Sequence, residues 1–139
     1  MKSSEQGWTA VAIFSVVIVF FSFGYLGVTP TVIYSGSMQP TLNVGDIVVI
    51  QKTPIETLKQ GDIIQYTDNN VTYVHRIYAI DTDAQQKYII TKGDANDLPD
   101  STPIVPDQIL GKSLFTIPQL GWIQIFIKNI LRTLGIPTG

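Results

Sequence analysis

The stretch Tyr34-Ser35-Gly36-Ser37-Met38-Gln39-Pro40-Thr41-Leu42 sets two hydroxyls around a glycine, with a proline three residues after the second serine. The proline prevents regular ladder pairing there, and the glycine lets another backbone approach closely. A hydroxyl so placed can meet a peptide carbonyl, although Ser, Gly and Pro are also the ordinary residues of a surface turn. A serine is a weak nucleophile until a base takes its proton. His75 is the one histidine of the chain, and an imidazole with an ordinary pKa of about 6.5 is largely neutral and basic near pH 7. It falls on the apolar face of a strand pattern beside Tyr73 and Ile77, where a core histidine satisfied by one hydrogen bond is the plainer reading. A base histidine needs a carboxylate that fixes its tautomer. Lys92-Gly93-Asp94-Ala95-Asn96-Asp97-Leu98-Pro99-Asp100 offers Asp94, Asp97 and Asp100, in a loop that would otherwise pass for a turn.

Ser-Gly-Ser-Met-x-Pro-Thr-Leu, seven fixed residues in eight, resembles the nucleophile segment of type I signal peptidases, the membrane-bound serine proteases that remove secretory signal peptides. The resemblance implies Ser37 as the nucleophile and the Ser35 hydroxyl, with the Ser37 N–H, as the oxyanion donors. Val74-His75-Arg76-Ile77 is similar to the histidine segment of the archaeal and endoplasmic-reticulum branch; the bacterial branch has a lysine base instead. The Lys92–Asp100 stretch resembles the family's Gly-Asp-Asn-Asn segment, where a second aspartate follows the first by six residues, here Asp94 and Asp100. Ala95 stands where that segment has an asparagine, and Pro99 where an aspartate is usual. Asp100 is thereby implied as the third triad member and Asp94 as a supporting hydrogen-bonding residue. The implied partners are the signal peptides of secretory preproteins, with small residues at the first and third positions before the cut. A cell-membrane location follows, with a cytoplasmic N-terminus, a catalytic domain outside and the protein-export translocon as a neighbour. The resemblance covers most of residues 30–118.

The elements that must hold these groups are short. Val28–Leu42 is rich in Thr, Val, Ile and Tyr and is expected to be extended. Gly45-Asp46 reads as a turn into the strand Ile47–Ile50, and Gly61-Asp62-Ile63-Ile64 repeats that entry. Lys52–Gln60 reads as a loop. Asp68-Asn69-Asn70 turns into a strand Val71–Ile80, with Val71, Tyr73, His75, Ile77 and Ala79 expected on one face. Asp81–Gln86 reads as a hairpin connection, Lys87–Lys92 as the returning strand, Gly93–Pro106 as a loop and Gln108–Ile117 as a last strand. Several short strands with frequent turns define a mainly β class: a small signal-peptidase-like β-domain over 28–118.

The flanks differ. No charged residue occurs between Gln6 and Gly45, and Trp8–Leu26 is apolar apart from Thr9, Ser15, Ser22 and Gly24. Nineteen helical residues would span roughly 28 Å, so residues 1–27 are expected to form a single transmembrane anchor, with Trp8 and Tyr25 at its interfaces. In Gly121–Gly135 the polar Gln124, Lys128, Asn129 and Arg132 form one stripe of a helix. Residues 119–139 therefore read as a cationic amphipathic helix lying in the membrane interface, with core packing or a short tilted span as alternatives.

The chain has 139 residues, which hold one small domain and an anchor, and no cysteine, so neither disulfides nor a thiol nucleophile enter. One histidine and no cysteine suggest no metal or organic cofactor. The β-domain is mildly acidic with no basic stripe, which disfavours nucleic acid. Two other readings stay open. One keeps Ser37 with a lysine base drawn from Lys52, Lys59, Lys87 or Lys92; the other is a membrane-anchored β-domain that binds peptides without cleaving them.

Overall fold

The computed structural model describes residues 2–22, 27–82 and 87–135. Runs of β-branched residues between glycine and asparagine turns form the strands β1 (Val28–Val32), β2 (Ile47–Gln51), β3 (Ile63–Asp68), β4 (Val71–Thr82), β5 (Lys87–Lys92) and β6 (Ile109–Ile117). They make one six-stranded sheet in the order β1-β2-β6-β3-β4-β5, antiparallel at every described pair. The two similar strand entries share a backbone device: Gly45 and Gly61 have φ of +91° and +92°, which side chains with a Cβ rarely adopt. Asn69 and Asn70, at φ 48° and 64°, close the β3–β4 hairpin as a two-residue turn whose twist suits the flanking strands.

Two apolar clusters cover opposite faces, as the alternation of Ile63 and Ile64 shows. Ile64, Tyr66, Ile77 and Ile89 pack with Leu58 and Ile104 on one face. Ile33, Met38, Leu42, Val48 and Ile50 pack with Ile63 and Val74 on the other. Here the extended segment expected over Val28–Leu42 is cut short. The strand stops at Val32, and the chain turns through Ser35–Leu42 so that Met38 and Leu42 reach the core, 1% and 2% exposed. The face expected for β4 also changes partway. The β4–β5 pairing slips between Ile77 and Ala79, leaving Tyr78 as the extra residue of a bulge. Ile80, rather than Ala79, therefore follows Ile77 onto the core.

The sheet curls. Gln65 of β3 donates to Thr31 of β1 at 3.0 Å although β2 and β6 lie between those strands in the sheet.

The expected transmembrane anchor is corrected. Helix α1 spans Lys2–Ser22, and among the described residues no helix is long and apolar enough to cross a membrane. The physical reason is length. Among the described residues the apolar run contributes Trp8–Ser22 to α1, roughly 22 Å of helix against a hydrocarbon core of about 30 Å. The first turn of α1 is the polar Lys2–Glu5, and residues 23–26 of the expected span lie outside the described residues. Trp8, Ile13 and Phe14 on α1 are nonetheless well exposed.

Helix α2 spans Trp122–Thr133. Its start is fixed to the Gly45–Asp46 turn: the Gly121 N–H donates to the Gly45 carbonyl at 2.8 Å and the Gln119 N–H to Asp46 Oδ1 at 3.0 Å. The Trp122 ring lies where a Cβ on Gly45 would be, so that glycine is required twice over.

Candidate active site

Ser37 sits in the Ser35–Leu42 turn, held from below by Met38 and tied sideways to the loop after β5. The Ala95 N–H donates to the Ser37 carbonyl at 2.8 Å. A Cβ on Gly93 would come within 2.6 Å of that same carbonyl, so glycine is what lets the two segments close. His75 projects from the middle of β4, opposite Ile64 of β3, and is 6% exposed. Asp100 lies in the loop that leaves β5, its N–H on the Thr91 carbonyl at 2.8 Å.

These three residues, drawn from three segments, form one line of hydrogen bonds. Ser37 Oγ lies 3.1 Å from His75 Nε2, and His75 Nδ1 lies 2.7 Å from Asp100 Oδ2. A carboxylate only accepts, so Nδ1 carries the imidazole proton and Nε2 is left to accept from the Ser37 hydroxyl. That is the arrangement needed to draw a proton off a nucleophilic serine. Ser35 Oγ stands 3.2 Å from Ser37 Oγ, on the exposed side of the same turn.

Asp94 is elsewhere. Its carboxylate takes two hydrogen bonds from Arg76, at 2.8 Å to Oδ1 and 2.7 Å to Oδ2, and Arg76 also reaches the Gly61 carbonyl at 2.8 Å. Arg76 follows His75 on β4, so the pair clamps the carboxylate loop to the strand that carries the imidazole. The Arg76 hydrogen bonds hold the Asp94 carboxyl below the usual carboxylate range. A depressed folded pKa stabilises the fold above the unfolded value of about 3.9, and that stability is lost as pH falls below it. The gap in unfolding midpoint between the native protein and Asp94→Asn is therefore expected to narrow as pH falls from about 5 to 3. A gap that stays constant over that range would show that the clamp contributes nothing ionic.

Two supporting residues carry no signal in the sequence. Thr91 Oγ1 donates to Asp100 Oδ2 at 2.6 Å, and the Tyr66 hydroxyl donates to the same oxygen at 3.2 Å. Burial above all pushes the Tyr66 hydroxyl far above its ordinary range, so it remains a donor. Tyr66 also stacks on Tyr73, ring centroids 5.5 Å apart, and both rings lie beside the imidazole. Only the β3–β4 register, which sets Tyr66 opposite Tyr73, brings this group together. Arg76 is legible in the sequence only as the neighbour of His75.

The nucleophile turn opens on a groove of about 490 Å³ between Pro30–Ser35 on one side and Val71–His75 on the other, with Ser37, Met38, Gln65 and Lys128 also at its walls. The adjoining β1 is an edge strand, which explains why Pro30, lacking an N–H, is tolerated within it. Of Lys52, Lys59, Lys87 and Lys92, none is hydrogen-bonded to Ser37 or lines this groove.

A serine, an imidazole and a carboxylate thus stand in line beside an open groove. Residues 6–88 match the family described as signal peptidase, peptidase S26, and the chain belongs to that family. The matched residues include Ser37 and His75 and end before Asp94 and Asp100. The chain is 34% identical over 89 residues to Signal peptidase I W of Bacillus subtilis (strain 168), covering 63% of this chain and 45% of that protein. It is 31% identical over 108 residues to the signal peptidase complex catalytic subunit SEC11 of Plasmodium falciparum (isolate 3D7), covering 70% of this chain and 58% of that protein. To the SEC11 subunit of Scheffersomyces stipitis it is 30% identical over 116 residues, 76% of this chain and 69% of that one. The chain thus spans about half the length of the first two of these relatives.

Proposed function

We propose that this chain is a serine endopeptidase that removes signal peptides from exported proteins, of the Ser–His–Asp branch of its family. The observation that carries the reading is the continuous line from Ser37 Oγ through the His75 ring to Asp100 Oδ2, at 3.1 and 2.7 Å. A peptide lies extended beside β1, adding main-chain hydrogen bonds to an edge strand. Ser37 Oγ attacks the scissile carbonyl as its proton passes to His75 Nε2. Asp100 holds Nδ1–H and stabilises the imidazolium. The oxyanion is met by the Ser37 N–H and the Ser35 hydroxyl, which turns from Ser37 Oγ to the new charge. The imidazolium then gives its proton to the leaving amine. Water, deprotonated by the same nitrogen, releases the acyl group from Ser37.

Family membership supports a membrane-associated peptidase. The surface we assign to the bilayer interface, on the external face of the cell membrane, is the outward side of α2, where Ile123, Phe126 and Ile127 are exposed together with Leu134 just past its end.

The test is cleavage of a preprotein-derived peptide with small residues at the first and third positions before the cut. One cut at that bond, absent in Ser37→Ala, is the expected result. Binding without cleavage would make the chain a peptide-binding domain. Within this mechanism, Ser35→Ala is expected to lower kcat on the order of 10²–10³-fold while KM changes little, because the charge exists only in the transition state. A near-normal kcat would leave Ser35 as a turn residue.

A further inference from the structure

The peptide groove contains one charge that the proposed chemistry does not use. Lys128, from the second turn of α2, is the only Lys, Arg, Asp or Glu among the described residues lining it. Its Nζ stands 5.3 Å from the centroid of the Tyr34 ring, and Tyr34 directly precedes Ser35. An aromatic face attracts an ammonium without neutralising it. The ion pairs among the described residues are His75–Asp100, Arg76–Asp94 and Lys112–Asp62, so Lys128 keeps its charge uncompensated by any of their carboxylates.

Its position is built, not incidental. The hydrogen bonds of Gly121 and Gln119 to the Gly45–Asp46 turn fix the start of α2. Six residues of helix, roughly 9 Å, then carry the chain from Trp122 to Lys128. The ammonium is delivered beside the nucleophile turn by an element outside the sheet. The walls around it include Val32, Ile33, Val71 and Val74, and low-dielectric walls concentrate the field of a single charge within a cleft.

We infer that Lys128 is a specificity-determining residue that reads the charge of the peptide residues flanking the cleaved bond, favouring an acidic side chain and rejecting a basic one. The inference rests on the reading of the groove as a peptide site. Both signs of discrimination come from one group: a carboxylate gains an ion-pair partner, and a lysine or arginine meets a like charge that no acid among the described residues offsets. The effect belongs to an open cleft and so has the size of a partly solvated pair, about fivefold.

The experiment compares the full chain with Lys128→Met and Lys128→Glu. Peptides carry a single Asp, Asn or Lys, moved in turn through three positions on each side of the cut. At one or more positions the native protein is expected to favour Asp over Lys by about fivefold in kcat/KM, with the preference shrinking as salt is raised. Lys128→Met removes the preference and Lys128→Glu reverses it. The reading uses ratios within each protein, so a general loss of activity does not mimic the result. Equal ratios in all three proteins overturn the inference. So do unchanged ratios accompanied by weaker binding of Lys128→Met to vesicles of phosphatidylcholine and phosphatidylglycerol, which would assign the ammonium to lipid headgroups. If no peptide is cut by the native protein, the endopeptidase reading falls. The same series, read as peptide binding to Ser37→Ala, then decides the charge reading separately.

Discussion

Replacing Ser37 or His75 with alanine is expected to abolish signal-peptide cleavage, each losing on the order of 10⁶-fold in kcat. In the proposed mechanism the two act as a unit, since neither an unactivated hydroxyl nor a base without a nucleophile opens the route. A double Ser37→Ala/His75→Ala variant is therefore expected to be scarcely worse than either single one. His75→Lys is expected not to rescue. A lysine base must be desolvated to stay neutral near pH 7, and the Asp100 carboxylate, 2.7 Å from Nδ1 in the native protein, would hold an ammonium there charged. The measurement is single-turnover cleavage of a preprotein peptide by protein shown to be folded. Full activity in His75→Ala would remove the imidazole from the mechanism and make Lys128, the amine lining the groove, the next base to test.

Asp100→Ala is expected to cost less, about 10⁴-fold, because in the proposed mechanism the carboxylate orients and stabilises the base but moves no proton. Without it the imidazole loses the acceptor that keeps the proton on Nδ1, and the tautomer with its proton facing Ser37 competes. Thr91 and Tyr66 would then point their hydroxyls at the space left by Oδ2, from 2.6 and 3.2 Å, without supplying an anion. Asp100→Asn keeps the shape and loses the charge, and is expected to fall by a similar factor. Asp94→Ala is expected to be milder, since its carboxylate is bound by Arg76 at 2.7 and 2.8 Å. It loosens the clamp on the loop, with an effect on stability larger than on kcat. A folded Asp94→Ala more damaged in kcat than Asp100→Ala would reverse the two roles.

Much of the local structure is written in the order of the residues. The Ser35–Leu42 and Val74–Ile77 segments name their family by residue type. The strands expected over Ile47–Ile50, Val71–Ile80 and Lys87–Lys92 announce themselves by their β-branched residues and turn signals, because local sterics and turn chemistry are properties of neighbours in sequence; the first two run one and two residues further, to Gln51 and Thr82. The amphipathic α2 is likewise written in its period.

What the tertiary structure decided is everything that depends on who lies beside whom. Spacing alone offers Asp94, Asp97 and Asp100 without saying which meets the imidazole. The β4–β5 pairing and the Thr91–Asp100 backbone bond bring Asp100 to His75 and leave Asp94 on Arg76. Tyr66 and Thr91 become visible only through cross-strand register, and Ile80 replaces Ala79 in the core because a bulge adds a residue that no alternation rule foresees. Composition marks the apolar run from Trp8, but it measures hydrophobicity and not how much of the run is helix. Helical period puts Lys128 on a polar stripe without fixing the direction in which that stripe faces. The docking of Gly121 on Gly45 turns it toward Tyr34 and the groove, since a helix takes its orientation from the surface it packs on.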